Sequence, residues 1–167
     1  DVLVSKKNIQ LFEENNVLSH RELEARYEIQ LETYTKKIQI ESRVLGDLAA
    51  NHIIPTALKY QNQLIRNVQG LKEILDEKTF YTAAQAQVEI ITDISEHVTI
   101  IKKSVDEMIE ARKVANKIDD PKKQAAEYCH KVQAFFQVIR YHADKLELLV
   151  DDEIWCLPKY REMLFIN

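Results

Sequence analysis

Hydrophobic residues recur at a helical spacing along most of the chain, which predicts long amphipathic helices. The first long pattern opens with a capping box, because Ser19 stands three residues before Glu22, and Leu18 and Leu23 are placed as a hydrophobic staple. Its apolar stripe is interrupted by Glu41 and consists of Tyr27, Leu31, Tyr34, Ile38, Leu45, Leu48 and His52. A short helix over residues 5–15, capped by Ser5, is predicted before it.

Pro55 stands where this pattern changes phase. Beyond the proline the same stripe would fall on Thr56, Lys59, Gln63 and Arg66, whereas the apolar side chains on the opposite side are Ile54, Ala57, Leu58, Ile65 and Val68. Proline cannot donate a hydrogen bond to the carbonyl of Asn51, and its ring crowds that turn. We therefore expect a kink or break within residues 51–55, a change of buried face, and a helix end at Gly70 as the C′ residue.

Two further long helices follow. The second is predicted over residues 80–117, after a connection at 71–78, with its stripe at Ala84, Ile91, Ile94, Val98, Ile101, Val105 and Met108. The Asp119-Asp120-Pro121 sequence is a helix stop and restart. The third helix is predicted from Pro121 to about Val150, with its stripe at Ala125, Tyr128, Val132, Phe135, Ile139, His142, Leu146 and Leu149 and with Phe136 beside it.

The short loop at 118–121 makes the second and third helices antiparallel neighbours. The predicted fold is therefore all-α, an up-down-up bundle of long helices with a short N-terminal helix and a kinked first long helix. The tail from Glu153 is rich in apolar residues, namely Trp155, Pro158, Tyr160, Leu164 and Phe165. We expect this tail to fold back onto the bundle or onto a partner.

Composition limits the classes of protein. The 167 residues, 46% of them hydrophobic, fit a single domain over 1–167, and 2 Gly and 3 Pro leave few places for turns. A net charge of -4 without a basic stripe argues against nucleic acid as a partner. No apolar run approaches the roughly 18 residues of a membrane span. Cys129 and Cys156 fit a reducing compartment, so we expect a cytoplasmic protein without a disulfide. The start at Asp1 suggests a piece of a longer chain.

Few residues suggest metal chemistry. Glu127 and His130 form one E-x-x-H pair, but a carboxylate-bridged di-metal bundle needs a second pair and further glutamates. Asp93 and His97 stand at i and i+4 but also lack further ligands. We therefore predict no metal site and interpret these residues as surface or satisfied core polar groups.

The remaining candidate side chains have structural interpretations. His52 and His142 fall on apolar stripes, which predicts core histidines hydrogen-bonded to a carbonyl or a tyrosine. Cys129 beside the third stripe is predicted to be a buried, inert thiol. Neither G-x-G-x-x-G nor G-x-x-x-x-G-K-[ST] occurs, so no cofactor-binding or catalytic residue is assigned.

A polar cluster surrounds the proline. Its members are Glu41, Arg43, Asp47, Asn51, His52, Lys59, Tyr60 and Asn62. Arg43 and Asp47 stand at i and i+4, where an ion pair can form. Three interpretations are open: a buried hydrogen-bond network that fixes how the kinked helix docks, a contact surface for a domain absent from this chain, or a direct ligand site.

One stretch resembles a known family. Residues 26–74, RYEIQLETYTKKIQIESRVLGDLAANHIIPTALKYQNQLIRNVQGLKEI, resemble the C-terminal region of type III glutamine synthetases, most specifically at 43–62. The ending LPKYREMLF, residues 157–165, and the preceding SKKNIQLFEENNVLSHRELEARYE extend the resemblance over essentially the whole chain.

The resemblance implies a cytoplasmic, ATP-dependent ligase that joins ammonia to glutamate through a glutamyl phosphate, with divalent metal ions such as magnesium, in a large double-ring oligomer. In that family the residues that hold metal, ATP and glutamate belong to an upstream catalytic region. We therefore expect an inactive helical domain that braces the catalytic domain or sister subunits. A free-standing helical interaction module is the alternative, and a metal-binding bundle is a third possibility.

Overall fold

The structure is a computed structural model that describes residues 2–164, and its described elements are all helical. The helices are α1 (Lys6–Glu14), α2 (His20–Leu48), α3 (Ile54–Ile74), α4 (Glu77–Ala115), α5 (Pro121–Glu127), α6 (Ala134–Leu149) and α7 (Tyr160–Met163). A π-helical turn, Ala49–Ile53, joins α2 to α3, and a second one, Tyr128–Val132, leads from α5 towards α6. We call residues 20–74 the first long helix, α4 the second and residues 121–149 the third.

The three long helices pack side by side. The first half of the first long helix, α2, contacts α5 and the second π turn, whereas α3 packs along α4, and α4 packs along α6. The two halves of the first long helix therefore have different main neighbours. These contacts are compatible with the predicted up-down-up order, and the all-α class is confirmed.

A kink or break was predicted within residues 51–55, and the structure has an irregularity there but no break, because the backbone stays helical and takes one wider turn at Ala49–Ile53. Ile54 donates its N–H to the carbonyl of Ala49, an i to i−5 bond placed directly before the proline. The π turn contains one more residue than an α turn. The buried positions therefore recur every four residues here, at Ala49, Ile53 and Ala57. The change of buried face along the sequence thus becomes one continuous inward stripe.

Gly70 does not end the helix, which contradicts the prediction. It has no positive φ, and α3 continues to Ile74. Leu75 is extended, and Asp76 caps α4 by accepting a hydrogen bond from the Thr79 N–H at 3.2 Å. The cap at Asp76 explains why α4 begins at Glu77, earlier than the hydrophobic pattern predicted.

The other predicted caps have mixed outcomes. The Ser19 and Glu22 capping box is present in both directions. Asp120 accepts a hydrogen bond from the Lys123 N–H at 3.0 Å and opens the third long helix, as predicted. Ser5 occupies the N-cap position of α1 but makes no side-chain capping bond. Two of these three predicted caps are therefore present, and each is formed by residues close together in the sequence.

The hydrophobic core runs between the long helices. Its fully buried large side chains include Ile94, Ile101, Met108, Tyr128, Val132, Ile139 and Leu146, which confirms the stripes predicted for the second and third helices. Each well-buried side chain of this size contributes about 1.5 to 3 kcal/mol. The tail folds back, because Ile154, Trp155 and Leu157 pack against this core. Phe165, also assigned to the tail, lies outside the described residues.

Candidate docking surface

The polar cluster around Pro55 is mostly exposed, which contradicts a buried hydrogen-bond network. The exposed members are Glu41, Arg43, Asp47, Asn51, His52, Lys59 and Asn62, and only Tyr60 is half-buried against the core. The reason is geometric. Inward positions of the first long helix are taken by Ser42, Ala49 and Ile53, so neighbouring polar side chains face solvent.

His52 shows the effect of the π turn most directly. The heptad pattern placed it on the buried stripe, but the wider turn brings Ile53, which is 4% exposed, to the inward position, and His52 faces solvent. The prediction of a core histidine at this position is therefore wrong.

One pair within the cluster makes a direct hydrogen bond. Asn51 donates its side-chain N–H to Oδ1 of Asp47 at 2.5 Å, across one turn. From the sequence, the Asp47 carboxylate was expected to pair with Arg43, whereas here one of its oxygens accepts from Asn51. It orients both groups on the outward face beside the first π turn.

Glu41 and Arg43 act on side chains that belong to or contact the third long helix. Burial raises the pKa of Tyr34 to about 12, and the Cys129 thiol and the Glu41 charge add to this rise. Burial also raises the pKa of Tyr128, against the opposing charges of Arg112 and Arg43. Both tyrosines therefore stay protonated near neutral pH, and their hydroxyls remain hydrogen-bond donors.

Exposed apolar side chains lie on the same outward face as the cluster. Ile40 is 62% exposed and Val44 is 52% exposed, one turn apart on α2. We define the docking surface as Ile40, Val44, Asp47, Asn51, Lys59 and Asn62. It combines two apolar side chains with polar and charged ones, a mixture that suits a protein interface better than a small-molecule site.

The predicted chemistry on the third long helix is changed by the second π turn. Cys129 is exposed and free, so the buried thiol prediction is wrong. Tyr128 and Val132, at either end of the π turn, take the inward positions, as the predicted stripe has them. His130 is also exposed, and Glu127 is half-buried. Among the described side chains, no three His, Cys, Asp or Glu residues come together.

Polar contacts between the long helices were missed by the sequence interpretation. Gln61 donates to the Ile91 carbonyl at 2.8 Å and to the Ser95 hydroxyl at 2.6 Å. Tyr34 donates to Oε1 of Gln133 at 2.9 Å. In a sequence, a glutamine that bonds a neighbouring helix cannot be told from a glutamine that faces solvent. Only the packed arrangement of the helices shows which glutamines make these hydrogen bonds.

His97 and His142 form another missed contact, with their Nδ1 atoms 2.9 Å apart. His142 is half-buried, as expected for a position on the core stripe, but its partner is a second histidine. Asp93, which the sequence paired with His97, is exposed.

None of the helices in the described part of the chain has the length and apolar character of a membrane-spanning segment.

Comparison with known proteins gives a consistent match. Residues 1–72 match the family model described as the glutamine synthetase C-terminal domain. A glutamine synthetase from Bacteroides fragilis is 49% identical over 149 residues, which are 89% of this chain and 20% of that protein. A type-3 glutamine synthetase from Dictyostelium discoideum is 29% identical over 163 residues, 98% of this chain and 22% of that protein.

A third relative, a glutamine synthetase from Butyrivibrio fibrisolvens, is 25% identical over 162 residues, 97% of this chain and 23% of that protein. The chain thus spans about a fifth of the length of the curated relatives it matches. The family model covers α1, α2, the first π turn and nearly all of α3, so it includes the whole docking surface.

Proposed function

We propose that this chain, whose residues 1–72 match the glutamine synthetase C-terminal domain, is a non-catalytic helical module that braces a larger glutamine synthetase. The observation behind the proposal is that similarity extends over 89% to 98% of this chain but over only 20% to 23% of each relative. The parent enzyme would ligate ammonia to glutamate with ATP and magnesium in the cytoplasm. This chain would supply no ligand to those cofactors.

We further propose that the docking surface contacts the catalytic region of the parent or of a sister subunit. The support is the outward position of Ile40 and Val44, which would lose solvent exposure on contact. The Asp47 and Asn51 pair beside them supplies oriented polar groups for the edge of such a contact. The alternative, a free-standing interaction module, uses the same surface for an unrelated partner.

The test substitutes the docking surface in the full-length parent. The variant Ile40→Glu with Val44→Glu places two carboxylates on this surface, and we expect loss of the assembled oligomer by light scattering together with loss of glutamine synthesis. Both positions are exposed, so the same double variant of the 167-residue chain should keep its helical circular dichroism. Leu148→Glu, at a position 79% exposed on α6, is the matched control and should leave assembly intact.

Two outcomes would contradict the proposal. An intact, active oligomer of the double variant would exclude the docking surface from the contact. Glutamine formation by the 167-residue chain alone, assayed with glutamate, ammonia, ATP and magnesium, would contradict a non-catalytic module. Failure of the chain to bind the rest of the synthetase, with binding to an unrelated protein, would favour the free-standing alternative.

A further inference from the structure

Two histidine rings meet between the second and third long helices. His97 on α4 and His142 on α6 have their Nδ1 atoms 2.9 Å apart and their ring centroids 5.1 Å apart, at an interplanar angle of 52°. Both residues are half-buried. The distance is that of a hydrogen bond, so one ring donates its Nδ1–H to the bare Nδ1 of the other.

The contact depends on how many protons the two rings carry. With both rings neutral, one ring can carry its proton on Nδ1 and the other on Nε2, and the bond forms. With one ring charged, the imidazolium donates to its neutral neighbour, and the bond persists. With both rings charged, two N–H groups face each other at 2.9 Å, so the bond is lost and like charges repel.

The surroundings of the pair offer limited compensation for a second charge. Burial and the charge of His97 lower the pKa of His142, and Glu96 opposes them in part. Asp93, also on α4, is exposed. On α6, Tyr141 meets the His142 ring edge-on at 5.1 Å, and Lys145 lies over the Tyr141 ring.

The first long helix adds no buried charge at this level. Gly46 lies opposite Val105 and Met108, and Gln61 is bonded to Ser95, so the stretch between them runs past the middle part of α4 that carries His97. The ionisable side chains of this stretch are Asp47, His52, Lys59 and Tyr60. The first three are exposed, and Tyr60 packs against the core.

We propose that the His97–His142 contact is a proton-sensitive joint that holds α6 against α4 while the pair carries at most one positive charge and weakens when both rings are charged. The joint shares no residue with the docking surface and goes beyond the proposed bracing role. It acts next to the tail, because Ala143, the residue after His142, lines the same groove as Trp155 and Leu157 of the tail.

The direction of the pH effect follows from proton binding. The pKa of His142 is lower in the folded chain than its ordinary value of 6.5, so the unfolded chain binds more protons when pH falls below that value. The contribution of this residue therefore lowers stability as pH falls from about 7 towards 5. Above about pH 7.5 the ring is neutral in both states and this effect vanishes.

The first experiment observes the pair in the intact chain. Nitrogen-15 spectra of the histidine rings, recorded from pH 8 to pH 5, report protonation at each Nδ1 and Nε2 of the wild type. We expect one ring of the pair to take up its proton only after the other, and we expect the titration of His142 to move to higher pH in His97→Gln. Independent titration of both rings, unchanged by that substitution, would overturn the proposal.

The second experiment compares thermal unfolding. We expect the melting temperature of the wild type to fall by about 2 to 4 °C more than that of His142→Gln between pH 7.5 and pH 5.5. His52→Gln, at an exposed histidine, is the matched control and should follow the wild type. Parallel curves for the wild type and His142→Gln would overturn the proposal. If His142→Gln fails to fold, His97→Gln and the wild-type spectra provide the same test.

Discussion

The Tyr128 hydroxyl donates a hydrogen bond of 2.6 Å to Oδ1 of Asn116, which ties the third long helix to the end of the second. The same oxygen accepts a 3.1 Å hydrogen bond from the Gln39 side chain of the first long helix. A single amide oxygen therefore joins all three long helices near one end of the bundle. Tyr128 is fully buried, whereas Asn116 is exposed, so the junction lies at the edge of the core.

Tyr128→Phe should lower the free energy of unfolding by about 0.5 to 1.5 kcal/mol, because it removes one hydrogen bond and leaves Asn116 with its Gln39 partner. Urea denaturation of the 167-residue chain measures this change. Tyr81→Phe, at a position 67% exposed, is the control and should unfold at the wild-type midpoint. Equal midpoints for all three proteins would show that the junction contributes no stability.

Gln61→Ala should destabilise the contact between α3 and α4 by about 1 to 3 kcal/mol, since it removes two hydrogen bonds at a buried position. The Ile91 carbonyl keeps the Ser95 hydroxyl as a donor at 3.0 Å, which limits the loss. Chemical denaturation is the measurement. Gln63→Ala, at an exposed position two residues away, should stay within about 0.5 kcal/mol of wild type. A larger effect at Gln63 than at Gln61 would contradict the assignment.

Gly46→Ala should stabilise the chain by up to about 1 kcal/mol, because alanine is the better helix former. The added Cβ would lie 3.7 Å from Met108 Cε and 3.8 Å from Val105 Cγ1, which are ordinary contacts. Calorimetry should show a higher melting temperature. Gly70→Ala, where nothing lies within 4 Å of the added atom, serves as the comparison and should shift in the same direction. A lower melting temperature for Gly46→Ala alone would reveal crowding.

The free energy of unfolding should fall in acid, because protonation of the Asp120 carboxylate weakens a helix cap. The Lys123 N–H bond lowers the pKa of Asp120 below 3.8, so this cap contributes stability above that pH and loses it as pH falls through the folded value. Asp120→Asn keeps a capping side chain without the titration. We expect its unfolding free energy to fall less than that of wild type between about pH 5 and pH 2. An identical decline in both proteins would remove Asp120 from the acid response.

Trp155→Phe should be nearly neutral, whereas Trp155→Ala should cost roughly 2 to 4 kcal/mol. The indole N–H is buried without an acceptor in the described part of the chain, so its removal sacrifices no hydrogen bond. The ring itself packs against the core and anchors the tail. Thermal unfolding followed by circular dichroism distinguishes the two variants. A large loss in the phenylalanine variant would show that the N–H has a partner.

Local patterns in the sequence predicted much of the fold. The helical period predicted the long helices, and the buried stripes of α4 and the third long helix agree with it because a face that packs on neighbours must be apolar. The capping hydrogen bonds of Ser19 and Asp120 join residues three apart in the sequence, so these caps could be predicted from the local sequence alone. The polar cluster was identified from its position around Pro55, but the sequence left open whether it is buried, and it did not identify the exposed Ile40 and Val44 beside it.

The sequence by itself determined which segments are helical, where the capped helices begin and which family the chain resembles, because each depends on neighbouring residues. The tertiary structure decided the two π turns, which placed Ile53 in the core and left His52 and Cys129 exposed. It also decided the contacts of Tyr128 with Asn116 and of His97 with His142. A π turn has weaker local preference than an α turn, and cross-helix bonds join distant residues, so both follow from packing between helices.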